Sequence, residues 1–387
     1  MSTEARSEAG HETGHEAGHA QARSAYGRRL GRRAALLALA ALLLAALLLL
    51  DLATGPSGMA LTDIFQALQT GPGGLEAVRE RLPGVTPEMR KLHSNANILW
   101  HVRMPPALMG ALVGMCLGLG GLQMQTILAN PLASPFTLGF SAAAGFGAAL
   151  AIMFGGLVPG LAHHSYYQFL IVPTSAFLMT LAACGLIYLI AILRSAAPEI
   201  LVLGGIAVLF FFQSIQLLLQ FIASPEALQQ IVYWLFGSLL KGSWTSVTVI
   251  TAVIALCAPF IIRDTWALTT LRLGDANAMS LGIHVDRLRR RSFIIVSLLT
   301  AAAVSFIGTI GFVGLIAPHM ARSLVGEDHR FALPLAAVTG AVILIGASVV
   351  GKILSPGGAI PVGIITAVAG VPMLFGIILR SGQRSAA

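Results

Sequence analysis

The chain has 387 residues, 56% of them hydrophobic and only 10% charged, and its mean hydropathy is +0.83. A water-soluble enzyme or binding module of this length would carry and expose far more charge, so the composition indicates an all-α, polytopic membrane protein. The net charge of +8 does not point to nucleic acid, because the basic residues lie between apolar runs and not on one soluble face.

Residues 1–33 are polar and are expected to form a disordered cytoplasmic tail, with the transmembrane permease domain over 34–380. His11, His15 and His19 recur every fourth position, but Gly10, Gly14 and Gly18 make a poor helix to present them, and no metal site is expected. Ala34 to Leu50 consists only of Ala and Leu behind a basic cluster, which suits a signal peptide or a first spanning helix. The helix reading is favoured, because the run is long for a signal core and Ala53 and Gly55 make a weak cleavage site.

Thr54 to Val102 reads as a polar connection punctuated by Pro56, Pro72, Pro83 and Pro87. Beyond it, apolar runs predict spans near 104–128, 137–159, 168–193, 200–222, 245–262, 292–310, 312–324, 333–351 and 361–379. With the first helix these make about ten transmembrane helices, so both termini share a side. The run 312–324 is too short to cross alone, since ~20 helical residues are needed, and is expected to be buried among its neighbours. Ile231 to Leu240 suits a half-helix at the outer rim. Cys116, Cys184 and Cys257 fall inside apolar stretches and read as packing residues.

Charge orients the bundle. Arg79, Arg81, Arg90, Lys91, Arg103, Lys241 and Lys352 fall on one side, and the remaining 17 of the 24 Lys and Arg lie on the side of the tail. That asymmetry predicts that both termini and the loop 271–291 are cytoplasmic. The loop, LRLGDANAMSLGIHVDRLRRR, is the longest charged interruption in the second half. Asp275 can accept backbone N–H bonds at the start of a short helix, Gly282 can close it in a left-handed turn, and a second helix starts near Val285. Met279, Leu281 and Ile283 form apolar teeth, and Arg287, Arg289, Arg290 and Arg291 a basic hem. Such an element suits docking to another protein, or is an ordinary cytoplasmic loop held by the charge rule; the pattern alone leaves both open.

Gly346 to Lys352 fits most of a phosphate-binding loop, but Ile353 stands where a Ser or Thr should hold magnesium, and the segment lies within a span. Any ATP site must therefore come from another subunit. No predicted span carries Asp, Glu, Lys or Arg near its centre, which counts against a secondary carrier and against an intramembrane enzyme. Gln213, Gln216 and Gln220 recur on one helical face and must meet either another helix or a watery path. The path is the expectation, because small residues more often glue helices together. The clustered glycines, among them Gly114, Gly118 and Gly121, read as close helix contacts. His319, beside Pro318, reads as a capping or hydrogen-bonding residue.

Taken together, Arg103-Met-Pro, Gln125, Asn130-Pro-Leu-Ala-Ser-Pro135, Trp234-Leu-Phe-Gly-Ser238, Leu273-Gly-Asp, Leu281-Gly282, Gly311-Phe-Val-Gly-Leu315, Pro318-His319, Arg322, Asp328-His-Arg330 and Pro361-Val-Gly363 resemble the FecCD-type, or type II, importer permeases. The resemblance covers residues 98–380. It implies the membrane permease of an ABC importer for an iron-siderophore or related metal chelate, with haem or cobalamin as alternatives, in the bacterial inner membrane. The implied partners are a second permease copy, two cytoplasmic ATPase subunits that supply ATP hydrolysis, and an extracytoplasmic binding protein. It also makes 271–291 the coupling helices, with Asp275, Met279, Leu281, Gly282, Ile283 and Arg287 as contact residues. Arg103 and Lys352, at outer ends of spans, are the expected docking charges for the binding protein. Pro106, Ser348 and Ala359 stand where the family often has charges.

Overall fold

The computed structural model describes residues 4–72, 86–155, 170–194, 197–355, 358 and 360–385; Ala359 lies outside them. Its helices are α1 (Glu4–Ala53), α2 (Leu61–Thr70), α3 (Pro87–Asn97), α4 (Met104–Ile127), α5 (Phe140–Phe154), α6 (Val172–Arg194), α7 (Pro198–Ile222), α8 (Pro225–Leu235), α9 (Trp244–Leu271), α10 (Asp275–Ser280), α11 (Val285–Ile307), α12 (Val313–Val325), α13 (His329–Leu354) and α14 (Val362–Ser385). Among the described residues seven helical stretches are long and apolar enough to cross a membrane, and two shorter apolar stretches are α5 and the Val362–Gly376 part of α14. With the 13-residue α12 they make the ten expected spans. As expected, α12 is sunk among its neighbours, with Val313, Leu315, Ile316 and Ala321 buried.

Two segments differ from the sequence reading. Helical backbone begins at Glu4, whereas 1–33 was expected to be a disordered tail. Ala, Glu, Gln and Arg between the glycines favour helix, and continuity with the apolar span removes the nucleation cost that an isolated segment would face. The described parts of the connection, 54–72 and 86–102, also fold. Thr86 caps α3 by accepting from the Met89 N–H at 3.3 Å, and Ile64, Ala67, Ala96 and Leu99 close a small apolar core with Leu52 and Ala107. Six residues of π-helix, Ile98–Arg103, then lead straight into α4, where Pro105 and Pro106 donate no N–H and Trp100 O accepts from Trp244 Nε1 at 2.9 Å.

α4 is the axis of the bundle. Apolar side chains gain little from leaving lipid for protein, so spanning helices associate where small residues let backbones touch. On α4 a Cβ at Gly114 would come 2.4 Å from Gly340 O, one at Gly118 2.1 Å from Ala336 O, and one at Gly121 1.9 Å from Gly314 O. These three positions press α4 onto α13 and α12. The contacts also explain why its stretch is 78% buried while that of α7 is 33% buried.

Gly118→Val should therefore lower stability by more than the ~1–3 kcal/mol typical of overpacking, since backbone and not a movable side chain is in the way. Gly346→Ala, whose Cβ would meet nothing within 4 Å, is the control. Thermal unfolding of the purified proteins in detergent checks this; equal midpoints for the two variants would refute a backbone seam.

Candidate functional site

At one end of the bundle α9, α10 and α11 build the 271–291 element. Gly274, at φ 96°, starts α10 and Gly282, at φ 82°, ends it. The Ile283 N–H donates to Ala278 O at 3.1 Å and the Gly282 N–H to Met279 O at 2.9 Å, which closes the helix in a left-handed double-bonded cap. Nothing lies within 4 Å of a Cβ at Gly282, so the demand for glycine there is conformational. α11 starts at Val285, as expected. Met279 and Leu281 are 59% and 54% exposed, Arg287 is exposed, and Ile283 is half-buried against the main core.

Two expectations are corrected here. Asp275 does not cap the short helix through its side chain; both carboxylate oxygens accept from the Arg289 guanidinium, at 2.8 and 2.8 Å. Arg289 is not part of an exposed basic hem but is 5% exposed, and its Nε donates to Ile127 O at 3.0 Å. The paired donors of an arginine fit a carboxylate and a helix-end carbonyl together, so the residue ties α10 to the end of α4. Arg291 likewise forks onto the buried Asp264 of α9.

Behind the element a polar network joins the ends of four helices, α4, α9, α12 and α13, to the middle of α1. Arg322 donates to Gln125 Oε1, and Gln125 Nε2 donates to Leu315 O at 3.4 Å. His329 bridges Thr126 Oγ1 at 2.8 Å and Glu327 O at 3.0 Å, and Arg272 pairs with Glu327 at 3.0 Å. Asp328 caps α13, accepting from the Arg330 N–H at 3.1 Å, and reaches Arg33 of α1 at 3.4 Å. Hydrogen bonding from Arg330 leads the causes that hold its carboxyl below the usual range. Sequence patterns marked Gln125, Arg322, Asp328 and Arg330 as motif residues without assigning them partners. Their common signal is that most of them lie within a few residues of a span end.

The opposite end corrects the expected docking charges. Lys352 donates to Asp51 Oδ2 at 2.7 Å and to Asp51 O at 2.9 Å, and Asp51 is 0% exposed. Arg103 is 6% exposed and donates to Leu52 O at 2.6 Å, Ala53 O at 3.1 Å and Ser57 Oγ at 2.9 Å. Both cations turn inward because the C-terminal end of α1 offers them free carbonyls and a carboxylate. They fasten α1 to α13 and α4. Sequence reasoning missed Asp51, which closes an otherwise uniform Ala/Leu run. Pro106 and Ser348 are buried at this end. The three glutamines divide: Gln213 is exposed, Gln220 is half-buried, and Gln216 is buried with its amide over Gly145 of α5.

Removing the lysine strands a buried carboxylate, so Lys352→Met should destabilise the protein by about 3–5 kcal/mol, the usual penalty for breaking a buried pair. The double variant Asp51→Leu, Lys352→Met should recover most of that loss. A double-mutant cycle on unfolding midpoints measures the coupling; simple additivity of the two single losses would show that the pair does not hold α1.

Residues 42–380 match the FecCD transport family. The permease FecD of the Fe(3+) dicitrate transport system of Escherichia coli (strain K12) is 33% identical over 288 residues, covering 74% of this chain and 87% of FecD. The cobalamin import system permease BtuC of Halobacterium salinarum is 32% identical over 330 residues, covering 85% of this chain and 86% of that protein. A solved inward-facing structure of a metal-chelate type ABC transporter superposes with a TM-score of 0.72 at 29% identity, over 89% of this chain and 98% of that one. Its helical bundle and these matches agree, and the chain belongs to the FecCD transport family, the permeases of ABC importers.

Proposed function

We propose that this chain moves an iron-siderophore or related metal chelate across the inner membrane, working as a pair of permease copies between an extracytoplasmic binding protein and two cytoplasmic ATPase subunits. The observation that carries the reading is the 271–291 element. It presents Met279 and Leu281 outward on a short capped helix, while the paired Asp275 and Arg289 fasten that helix to α4. A rigid apolar knob held to the central span suits transmission of a partner's motion, and the excess of basic residues on that side suits a cytoplasmic position. Relatives named for iron dicitrate and for cobalamin favour chelates and large cofactors as cargo, so haem or cobalamin is the second reading. Arg103 and Lys352, being internal, are not carried forward as docking residues.

Gly282→Val places a branched side chain in a left-handed turn, a strain of ~1–2 kcal/mol that tilts α10 against α11. In the assembled complex, ATPase activity should stop responding to loaded binding protein, and Met279→Asp should do the same through the apolar contact. Stimulation that survives both changes with assembly intact would refute the coupling role.

In this proposal Gln213 and Gln220, the less buried of the three, face the translocation path, and Gln216 packs against α5. Single Cys replacements should react with a water-soluble thiol reagent at 213 and 220 in at least one nucleotide state and stay protected at 216. Protection at all three positions in every state would remove the glutamines from the path.

A further inference from the structure

At the end of the bundle opposite α10 lies a cavity of about 490 Å³, walled chiefly by Gln229, Gln230, Tyr233 and Trp234 of α8, by Lys241 in the turn before α9, and by Phe306 of α11. Its volume falls within the range of small-molecule sites, and its mixed wall of aromatic faces and few polar groups is of the kind that fixes a ligand's orientation. Lys241 is the distinctive group. Its ammonium sits 5.7 Å from the centroid of the buried Trp234 ring, and no described carboxylate pairs with it. Burial pushes it down to about 8, so it is poorly solvated yet still charged near neutrality. The buried Arg103 and the partly buried Lys352 at this end are satisfied by α1. A cation half-withdrawn from water with only a ring face beside it is short of an oxygen acceptor. The amides of Gln229 and Gln230 and the Tyr233 hydroxyl add further donors at the exposed rim.

We propose that this cavity binds an anionic, oxygen-rich group, a carboxylate or phosphate, with Lys241 as its charge partner and Trp234 as the wall against which its apolar body lies. The proposal rests on the importer reading in one respect: there, the group would be a carboxylate of the metal chelate held near the entrance. The same chemistry would also receive the phosphate of an anionic lipid, and the two sources are separable.

The test uses the full-length permease in nanodiscs, without ATPase or binding protein. One arm measures equilibrium binding of radiolabelled Fe(III)–citrate in phosphatidylcholine discs; the other measures retention of phosphatidylglycerol by native mass spectrometry. Each is run on wild type, Lys241→Met and Lys241→Arg. Loss of a charge-assisted hydrogen bond should weaken binding at least about tenfold in Lys241→Met. Lys241→Arg, which keeps the charge, should stay close to wild type and shows that the turn still folds. A lysine-dependent signal in the citrate arm assigns the site to a chelate, and one in the lipid arm assigns it to a headgroup. If Lys241→Met binds both probes as wild type does, or wild type binds neither, the site is overturned. Either failure leaves the importer reading standing, because that reading is decided by ATPase stimulation in the assembled complex.

Discussion

The bundle depends on how closely backbones approach along α4. In hydrocarbon, side chains gain little by exchanging lipid for protein, so the contacts of Gly114, Gly118 and Gly121 with the carbonyls of α13 and α12 must be made at van der Waals distance or not at all. That requirement removes side chains from the middle of the interface and leaves polar groups to the helix ends. It also makes α4 stiff: a span wedged against backbone on two sides cannot bend without moving its neighbours.

Polar chemistry is accordingly arranged in two caps. At one, Arg289 holds the Ile127 carbonyl at the foot of α4, and the Gln125–Arg322 and Thr126–His329 contacts spread from the same turn to α12 and α13. At the other, Arg103, directly before α4, grips the end of α1. α4 therefore joins the 271–291 knob to the opposite end of the bundle. A 24-residue helix spans ~36 Å, and a displacement at its foot reaches the far side with little loss in a tightly packed interior.

Much of this fold was legible because hydropathy in a membrane protein reports length directly. The expected span 200–222 is Pro198–Ile222 in the structure, and 312–324 is Val313–Val325. Gly282 and Val285 were readable because a left-handed cap and a helix start depend on neighbours in sequence. The errors share a cause of the opposite kind. Arg289 looked like one arginine in a basic run, and Lys352 like a rim charge, because nothing local distinguishes a cation aimed outward from one aimed at a carbonyl 162 or 301 residues away. The glutamines divide for the same reason: periodicity put them on one stripe, while the position of α5 decided that Gln216 lies inside.

The pairing of Asp51 with Lys352 has a consequence for how the protein is made. The two residues are 301 positions apart, so the first span leaves the ribosome long before its partner exists. At ~5–20 residues per second the wait is roughly 15–60 s. During that time the Asp51 carboxylate, at the end of the Ala/Leu run, has no lysine to pair with. Only when α13 arrives does the charge become sealed in protein. The first helix is thus inserted early but locked late, and its final seat against α13 waits for a residue made 301 positions later.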